Sequence, residues 1–246
     1  MSFYLIEKDH PGKTLARNIE EYPEGIVISL DKPYGWTSSD AVRKIKFKAQ
    51  RFFRVKNIKV GHAGTLDPLA TGVLLICLGK ATKKAEQLQE QEKEYVAEIT
   101  FGCTTPSFDL EKEIDRHFPF EHISIESVNN VLPKFLGEQD QVPPIFSAKL
   151  VDGNRAYELA RAGVKKELNP SQITIYDLTA ISYLPPSLKL RIKCSKGTYV
   201  RSLARDLGLA LESGAHLSDL VRTSSGGFSV KNSVSIDDLD ILMKTD

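Results

Sequence analysis

The stretch richest in chemistry is Val60-Gly-His-Ala-Gly-Thr-Leu-Asp-Pro-Leu-Ala-Thr-Gly72. It sets one carboxylate, Asp67, among three glycines, Gly61, Gly64 and Gly72, with Pro68 directly after it. Glycine lets backbone come close to a ligand and proline stiffens the chain, so this segment presents a carboxylate from a fixed, accessible loop. An ionised carboxylate held in that way serves as a nucleophile or as a general base, although an aspartate can also simply cap its own turn. Other chemistries fit less well. Gly79-Lys80 is followed by Ala81, and Leu74 stands where a phosphate-binding loop has its first glycine, which argues against nucleotide hydrolysis. His62 and Asp67 have no second histidine nearby and are too few to hold a metal. A glycosidase needs two carboxylates; the loop holds one, and another segment supplying the second leaves that reading open.

The elements that must position this loop are legible on both sides of it. Gly25-Ile-Val-Ile-Ser-Leu30 reads as a strand stopped by Asp31-Lys-Pro-Tyr-Gly35, and Ser38 or Ser39 offers a cap for a helix over residues 40–52. Beyond the loop, Val73 to Leu78 is an unbroken apolar run with the length of a buried strand. Glu94 to Phe101 is expected to be a strand whose alternation is too loose to assign its faces. Ser124 should cap a helix using Ile125, Val128, Leu132 and Phe135, ended by Gly137 and weakened by Pro133. Gln141-Val-Pro-Pro-Ile145 must be extended, and Asn154 to Ala162 reads as a short helix closed by Gly163. Ile173 to Ile181 and Leu188 to Cys194 read as strands around a Pro185-Pro186 turn. Thr198 to Leu211 is the clearest amphipathic helix; a strand around Gly226 to Val230 and a helix capped by Ser235 complete the pattern. Strands and helices mix without strict alternation, which predicts an α+β fold with a mixed, largely antiparallel sheet and flanking helices.

Composition limits the function classes. The 246 residues are 41% hydrophobic and 26% charged, the balance of an ordinary folded globular chain. No repeat or linker divides them, so a single domain is expected over 1–246. No apolar run approaches the roughly 20 residues of a membrane span, and Glu7, Lys8, Asp9 and His10 stand where a signal peptide would be apolar. A cytoplasmic protein is expected, with Cys77, Cys103 and Cys194 as buried free thiols. Net charge is only +1, but its distribution is uneven. Between Ala41 and Val60 there are eight basic residues and no acidic one, interleaved with Phe47, Phe52 and Phe53. Such a stripe suits a polyanion, and it also fits a solvated helix face.

Gly61 to Gly72 resembles the signature loop of the TruB family of tRNA pseudouridine synthases. The resemblance continues in order through Leu78-Gly-Lys-Ala-Thr-Lys83, Lys93-Glu-Tyr95, Gln141-Val-Pro-Pro-Ile-Phe-Ser-Ala148, Gly153-Asn-Arg-Ala-Tyr-Glu-Leu-Ala-Arg161 and Cys194-Ser-Lys-Gly-Thr-Tyr-Val-Arg201, covering roughly residues 25 to 240. It departs from the family at Phe146, where tyrosine is frequent, and the sequence stops at Asp246 without the RNA-binding, PUA-like domain that bacterial members commonly carry at their C-terminus.

The resemblance implies a pseudouridine synthase fold with a central RNA-binding cleft. It implies isomerisation of the uridine at position fifty-five, in the TΨC loop of tRNA, by base flipping. No cofactor or metal is implied, because the base is only detached at N1, turned and rejoined through C5. Asp67 takes the place of the family's catalytic aspartate, Arg201 that of the arginine pairing with it, and Tyr95 that of the residue that stacks on uracil and removes the C5 proton. Among substrate-binding positions, His62 fills the gap left by the flipped base, Leu220 forms an apolar pocket wall, Lys83 and Tyr199 support, and Gly64 lets the backbone approach. The expected partner is the TΨC stem-loop of tRNA, with no membrane and no obligate protein partner, the chain acting as a monomer. A non-catalytic RNA-binding or tRNA-folding protein on the same scaffold is the alternative.

Overall fold

A computed structural model describes residues 3–8, 15–147, 150–151, 154–155 and 168–244. The chain divides into two compact units, one of Met1–Glu94 with Val221–Asp246 and one of Tyr95–Leu220. It leaves the first unit within strand Lys93–Phe101 and re-enters it within strand Ala215–Ser225.

The first unit is built around the apolar run seen in the sequence, which forms strand Thr71–Leu78. Strand Ile26–Lys32 pairs with it antiparallel, Ile26 opposite Leu78 and Lys32 opposite Gly72, and Tyr4–Ile6 adds in parallel at the outer side. On the other flank Val60–His62 runs antiparallel to it and the end of Ala215–Ser225 runs parallel, Arg222 opposite Gly72. The run is unbroken because both faces of the strand are covered. Leu74, Ile76 and Leu78 pack with Ile28, Leu30, Ala41, Ile45 and Phe52, while Val73, Leu75 and Cys77 pack with Val27, Ala63, Ala81 and Phe228.

The helix before the loop spans Ser38–Phe52, and its cap is Thr37 rather than Ser38 or Ser39. Thr37 and Asp40 close a reciprocal capping box. Ser38 is unavailable as a cap because its hydroxyl both donates to Leu66 O and accepts from Leu66 N. The aromatic interleaving of the basic stripe is also corrected: Phe52 and Phe53 are buried in the core and only Phe47 is exposed. A helical stripe with a 3.6-residue period sends residues 45, 49 and 52 inward whatever their neighbours' charge.

In the second unit the sheet order is Ala215–Ser225, Lys93–Phe101, Ser187–Cys194, Ser171–Leu184 and Gly137–Gln141. The last three pair antiparallel. Lys93–Phe101 alternates strictly, burying Lys93, Tyr95, Ala97, Ile99 and Phe101; the sequence concealed this because Val96 lies on the half-buried face. The expected helix after Ser124 is an α-helix only over Ile125–Val131 and tightens to a 3-10 turn over Leu132–Phe135, where Pro133 has no N–H to give. Asn154–Arg155 does not begin a helix; it pairs antiparallel with Leu150–Val151, and the rest of the expected 154–162 helix lies outside the described residues. The amphipathic helix spans Val200–Ala210. The architecture is the expected α+β one, mostly antiparallel, with parallel pairing where Tyr4–Ile6 meets Ile26–Lys32 and where Ala215–Ser225 meets Thr71–Leu78. All three cysteines are buried thiols outside any disulfide, and burial pushes the Cys77 thiol up to about 11. No helix among the described residues is long and apolar enough to cross a membrane.

Candidate active site

In the first unit the loop carrying Asp67 leaves the sheet at His62 and returns at Thr71, with both ends fastened to one strand. His62 pairs with Ile76, and Ala63 N donates to Leu75 O at 2.9 Å. Between these ends nearly every peptide is held. Gly64 O and Thr65 O accept from the Arg222 guanidinium at 3.1 and 3.2 Å, and Leu66 is held at both N and O by the Ser38 hydroxyl. Asp67 O accepts from Ala70 N at 3.1 Å, and Pro68 O accepts from Gly35 N at 2.9 Å and from Lys32 Nζ at 3.3 Å. Asp67 is thus the half-buried tip of a tight turn whose two shoulders are fixed. Gly72 closes the loop at φ +99°, where an added Cβ would lie 2.3 Å from Arg222 O. Only glycine meets both conditions.

Two buried cations brace this loop, and neither was picked out from sequence. Arg222, 1% exposed, also donates to Val73 O at 2.6 Å, so its three nitrogens hold three carbonyls at the two ends of the loop. Lys32, fully buried, donates to Pro33 O, Trp36 O and Pro68 O at 2.9, 2.6 and 3.3 Å. Burial lowers the Lys32 ammonium to about 8; the Asp67 carboxylate opposes this and Arg222 adds to it. At neutral pH Lys32 therefore remains mostly charged, and Asp67 works in the field of a neighbouring cation. For His62, burial first and the Arg222 charge second hold the imidazole below its ordinary 6.5, which leaves a neutral ring at pH 7. Its Nδ1 is buried without a hydrogen-bond partner among the described residues.

The Lys32 shift has a measurable consequence for stability. Its folded value of about 8 lies below the ordinary 10.5, so between those limits the unfolded chain binds more protons than the folded one. The cost of burying the charge is present in full below pH 8, and stability attributable to Lys32 rises as pH climbs through the window. Urea unfolding of wild type and Lys32→Met at pH about 7.5 and about 10 should show wild type gaining on the variant at the higher pH. A constant gap would show that Lys32 does not titrate in this range.

In the second unit, Tyr199 and Arg201 stand at the start of helix Val200–Ala210. The Gln141 side chain clamps the Tyr199 peptide, accepting from its N at 2.8 Å and donating to its O at 3.1 Å. Arg201 is 4% exposed, ion-paired with Asp109 at 3.5 Å, and donates to Ser107 O and Phe146 O at 3.3 and 3.0 Å. Position 146 thus contributes its backbone carbonyl, which phenylalanine supplies as tyrosine would. Asp109, itself buried, accepts from Glu111 N and was not singled out in the sequence, where it opens an acidic run that looks like surface. Tyr95 and Leu220 are buried on strands Lys93–Phe101 and Ala215–Ser225.

The structure therefore brings His62, Gly64 and Asp67 into one braced loop of the first unit, and Tyr199 with Arg201 onto one helix start in the second. Lys83 is exposed on the 3-10 turn Gly79–Lys84. Arg222, Lys32 and Asp109 are the additions.

Comparison with known proteins places the chain among RNA-modifying enzymes. Residues 50–200 match the family model for the TruB family pseudouridylate synthase N-terminal domain, and residues 201–245 match that for the tRNA pseudouridylate synthase B C-terminal domain. The curated tRNA pseudouridine synthase B of Phocaeicola vulgatus is 52% identical over 216 residues, covering 88% of this chain and 92% of that protein. The protein of the same description from Flavobacterium johnsoniae is 51% identical over 218 residues, covering 88% and 95%. Among solved structures, one described as a Cbf5-Nop10-Gar1 complex superposes with a TM-score of 0.68 at 29% identity, covering 97% of this chain and 63% of that one. Another, an H/ACA RNP bound to a substrate RNA containing 2'-deoxyuridine, gives 0.64 at 27% identity, covering 95% and 61%. The chain thus spans less than two thirds of each of those two chains.

Proposed function

This chain belongs to the TruB family of pseudouridylate synthases, and from that premise we propose that it isomerises the uridine of the TΨC loop of tRNA, at position fifty-five, with Asp67 as its catalytic carboxylate. The observation that carries the reading is the braced loop: a carboxylate held at the tip of a turn whose flanking peptides are bonded, beside a buried lysine whose ammonium it supports against burial. Preorganisation of that kind is what an enzyme needs from a nucleophile or base.

The bond between uracil N1 and ribose C1′ breaks, the base turns, a bond forms between C5 and C1′, the proton on C5 leaves and N1 takes one up. Atoms and electrons balance within the nucleotide, so no oxidant or cofactor takes part. The target base must first leave its stack, at a cost of about a few kcal/mol. His62, neutral at pH 7, takes the vacated stacking position, and Gly64 lets backbone come close to the RNA. Tyr95 stacks on the uracil and accepts the C5 proton, Arg201 takes the part of the family's arginine, Leu220 lines the base and Lys83 and Tyr199 support the RNA. Asp109 fixes Arg201 in its rotamer through the buried pair. The enzyme works in the cytoplasm as a monomer, as one catalytic module without an obligate protein partner.

Transcribed tRNA carrying tritium at uridine C5 tests the reading. Isomerisation releases one tritium per product into water and no free base. Release of uracil would indicate a hydrolase, and tight binding with neither product would indicate an RNA-binding protein.

A further inference from the structure

The outward face of helix Ser38–Phe52 is not explained by the fold. Lys44, Phe47 and Arg51 are spaced three and four apart and share one exposed face with Arg43, and Arg54 is exposed just beyond the helix. Phe47 is 57% exposed, although the helix already fills its core positions with Ala41, Ile45, Ala49 and Phe52. Arg51 lies over the Phe47 ring at 5.5 Å. Of the eight basic residues between Ala41 and Val60, Lys48 is taken by Asp240 and Arg43 by Asp40. Lys44, Lys46, Arg51, Arg54, Lys56 and Lys59 form no ion pair among the described residues. An ordinary solvated helix face intersperses acids with its bases; past Asp40 in its first turn this helix carries none. An exposed aromatic ring bracketed by unneutralised cations has the chemistry of a platform for a stacked base beside phosphates. Its position is equally informative. The helix starts at Ser38, bonded to the Asp67 loop through Leu66, and at about 1.5 Å per residue Arg51 lies about 20 Å from that start.

We propose that the Lys44, Phe47, Arg51 and Arg54 face is a second RNA-docking surface, holding phosphates and an unpaired base of the substrate away from the uridine that reacts. This rests on the reading of the chain as a tRNA-modifying enzyme and extends it to how the rest of the RNA is held. The surface adds to binding and not to the chemical step, and it has nothing to grip on a substrate cut down to the stem-loop around the target.

The test compares intact tRNA with its isolated TΨC stem-loop, using wild type, Phe47→Ala and a Lys44→Gln, Arg51→Gln, Arg54→Gln triple variant, each checked for unchanged thermal unfolding. For intact tRNA the triple variant should raise KM and Kd about tenfold at 0.1 M salt, keep kcat, and lower the slope of log Kd against log salt by about 2 to 3. Phe47→Ala should weaken binding about tenfold with the salt slope kept, since stacking releases no counterions. For the stem-loop both variants should match wild type, and a Lys44→Arg, Arg51→Lys, Arg54→Lys variant should bind intact tRNA as wild type does. Unchanged Kd and slope with intact tRNA, or equal losses on both RNAs, would overturn the proposal. So would equal wild-type affinity for anionic lipid vesicles that the triple variant also loses, which would mark a general polyanion surface. If wild type forms no pseudouridine at all, the reading of function fails instead.

Discussion

Asp67→Asn protein is expected to bind tRNA with wild-type affinity and to form pseudouridine at least about 10³-fold more slowly, the scale of losing a group that attacks or deprotonates the substrate. Asparagine keeps the size of the side chain, and the backbone hydrogen bonds that hold the loop do not use the carboxylate. Leu66 stays on Ser38, Pro68 on Lys32 and Gly35, and the turn from Ala70 N to the residue 67 carbonyl is indifferent to the side chain. The loss should therefore fall on kcat, with thermal unfolding little changed. A second signature follows from the charge that is removed. The Asp67 carboxylate supports the charged form of Lys32 against burial, so the variant should move the Lys32 titration further down. Single-turnover kinetics at saturating enzyme reads the first effect and pH-dependent unfolding the second. Comparable kcat in the variant would remove Asp67 from the chemistry.

Arg222→Ala should cost about 5 kcal/mol of stability, the lower end of what three hydrogen bonds to a charged group contribute at about 1.5 to 3 kcal/mol each. The guanidinium is buried and holds Val73 O, Thr65 O and Gly64 O, and alanine would leave those carbonyls facing a void. Arg222→Lys should recover less than half of this, because one ammonium cannot reproduce a planar fork reaching three separate acceptors. Protein that still folds should also lose activity, since a loop displaced by about 1 Å can cost about a hundredfold in rate. Urea midpoints for wild type and both variants, with kcat/KM measured well below those midpoints, make the comparison. A lysine variant as stable and active as wild type would show that the carbonyl clamp is not needed.

The parts of this molecule that sequence revealed are those where one signal dominates. The apolar run Val73 to Leu78 is buried on both faces and reads as such. Ser235 caps its helix by a capping box with Asp238 at short range. The glycine-rich loop stood out because Gly64 and Gly72 have positive φ, and Gly72 also meets a close approach. What stayed hidden depends on tertiary partners. Ser38 looks like a cap until Leu66 is placed against it, whereupon Thr37 takes that role. Strand Ala215–Ser225 was overlooked because its buried positions include His216, Arg222 and Ser225, so apolar alternation is missing. Lys32, Arg222 and Asp109 are buried charges, and in a sequence such residues cannot be told from solvated ones. Each is inside because carbonyls or an opposite charge from distant segments help receive it, Pro68 O in the case of Lys32. The Asp67 loop was thus legible as chemistry, while the apparatus that holds it still was not.

The central claim is tested most directly by mapping pseudouridine at single-nucleotide resolution in unmodified tRNA incubated with wild-type protein and with Asp67→Asn. Complete conversion at the TΨC-loop position by wild type, with none by the variant, is the expected result. Conversion by both proteins, or by folded wild type at no position in several tRNAs, would contradict the account.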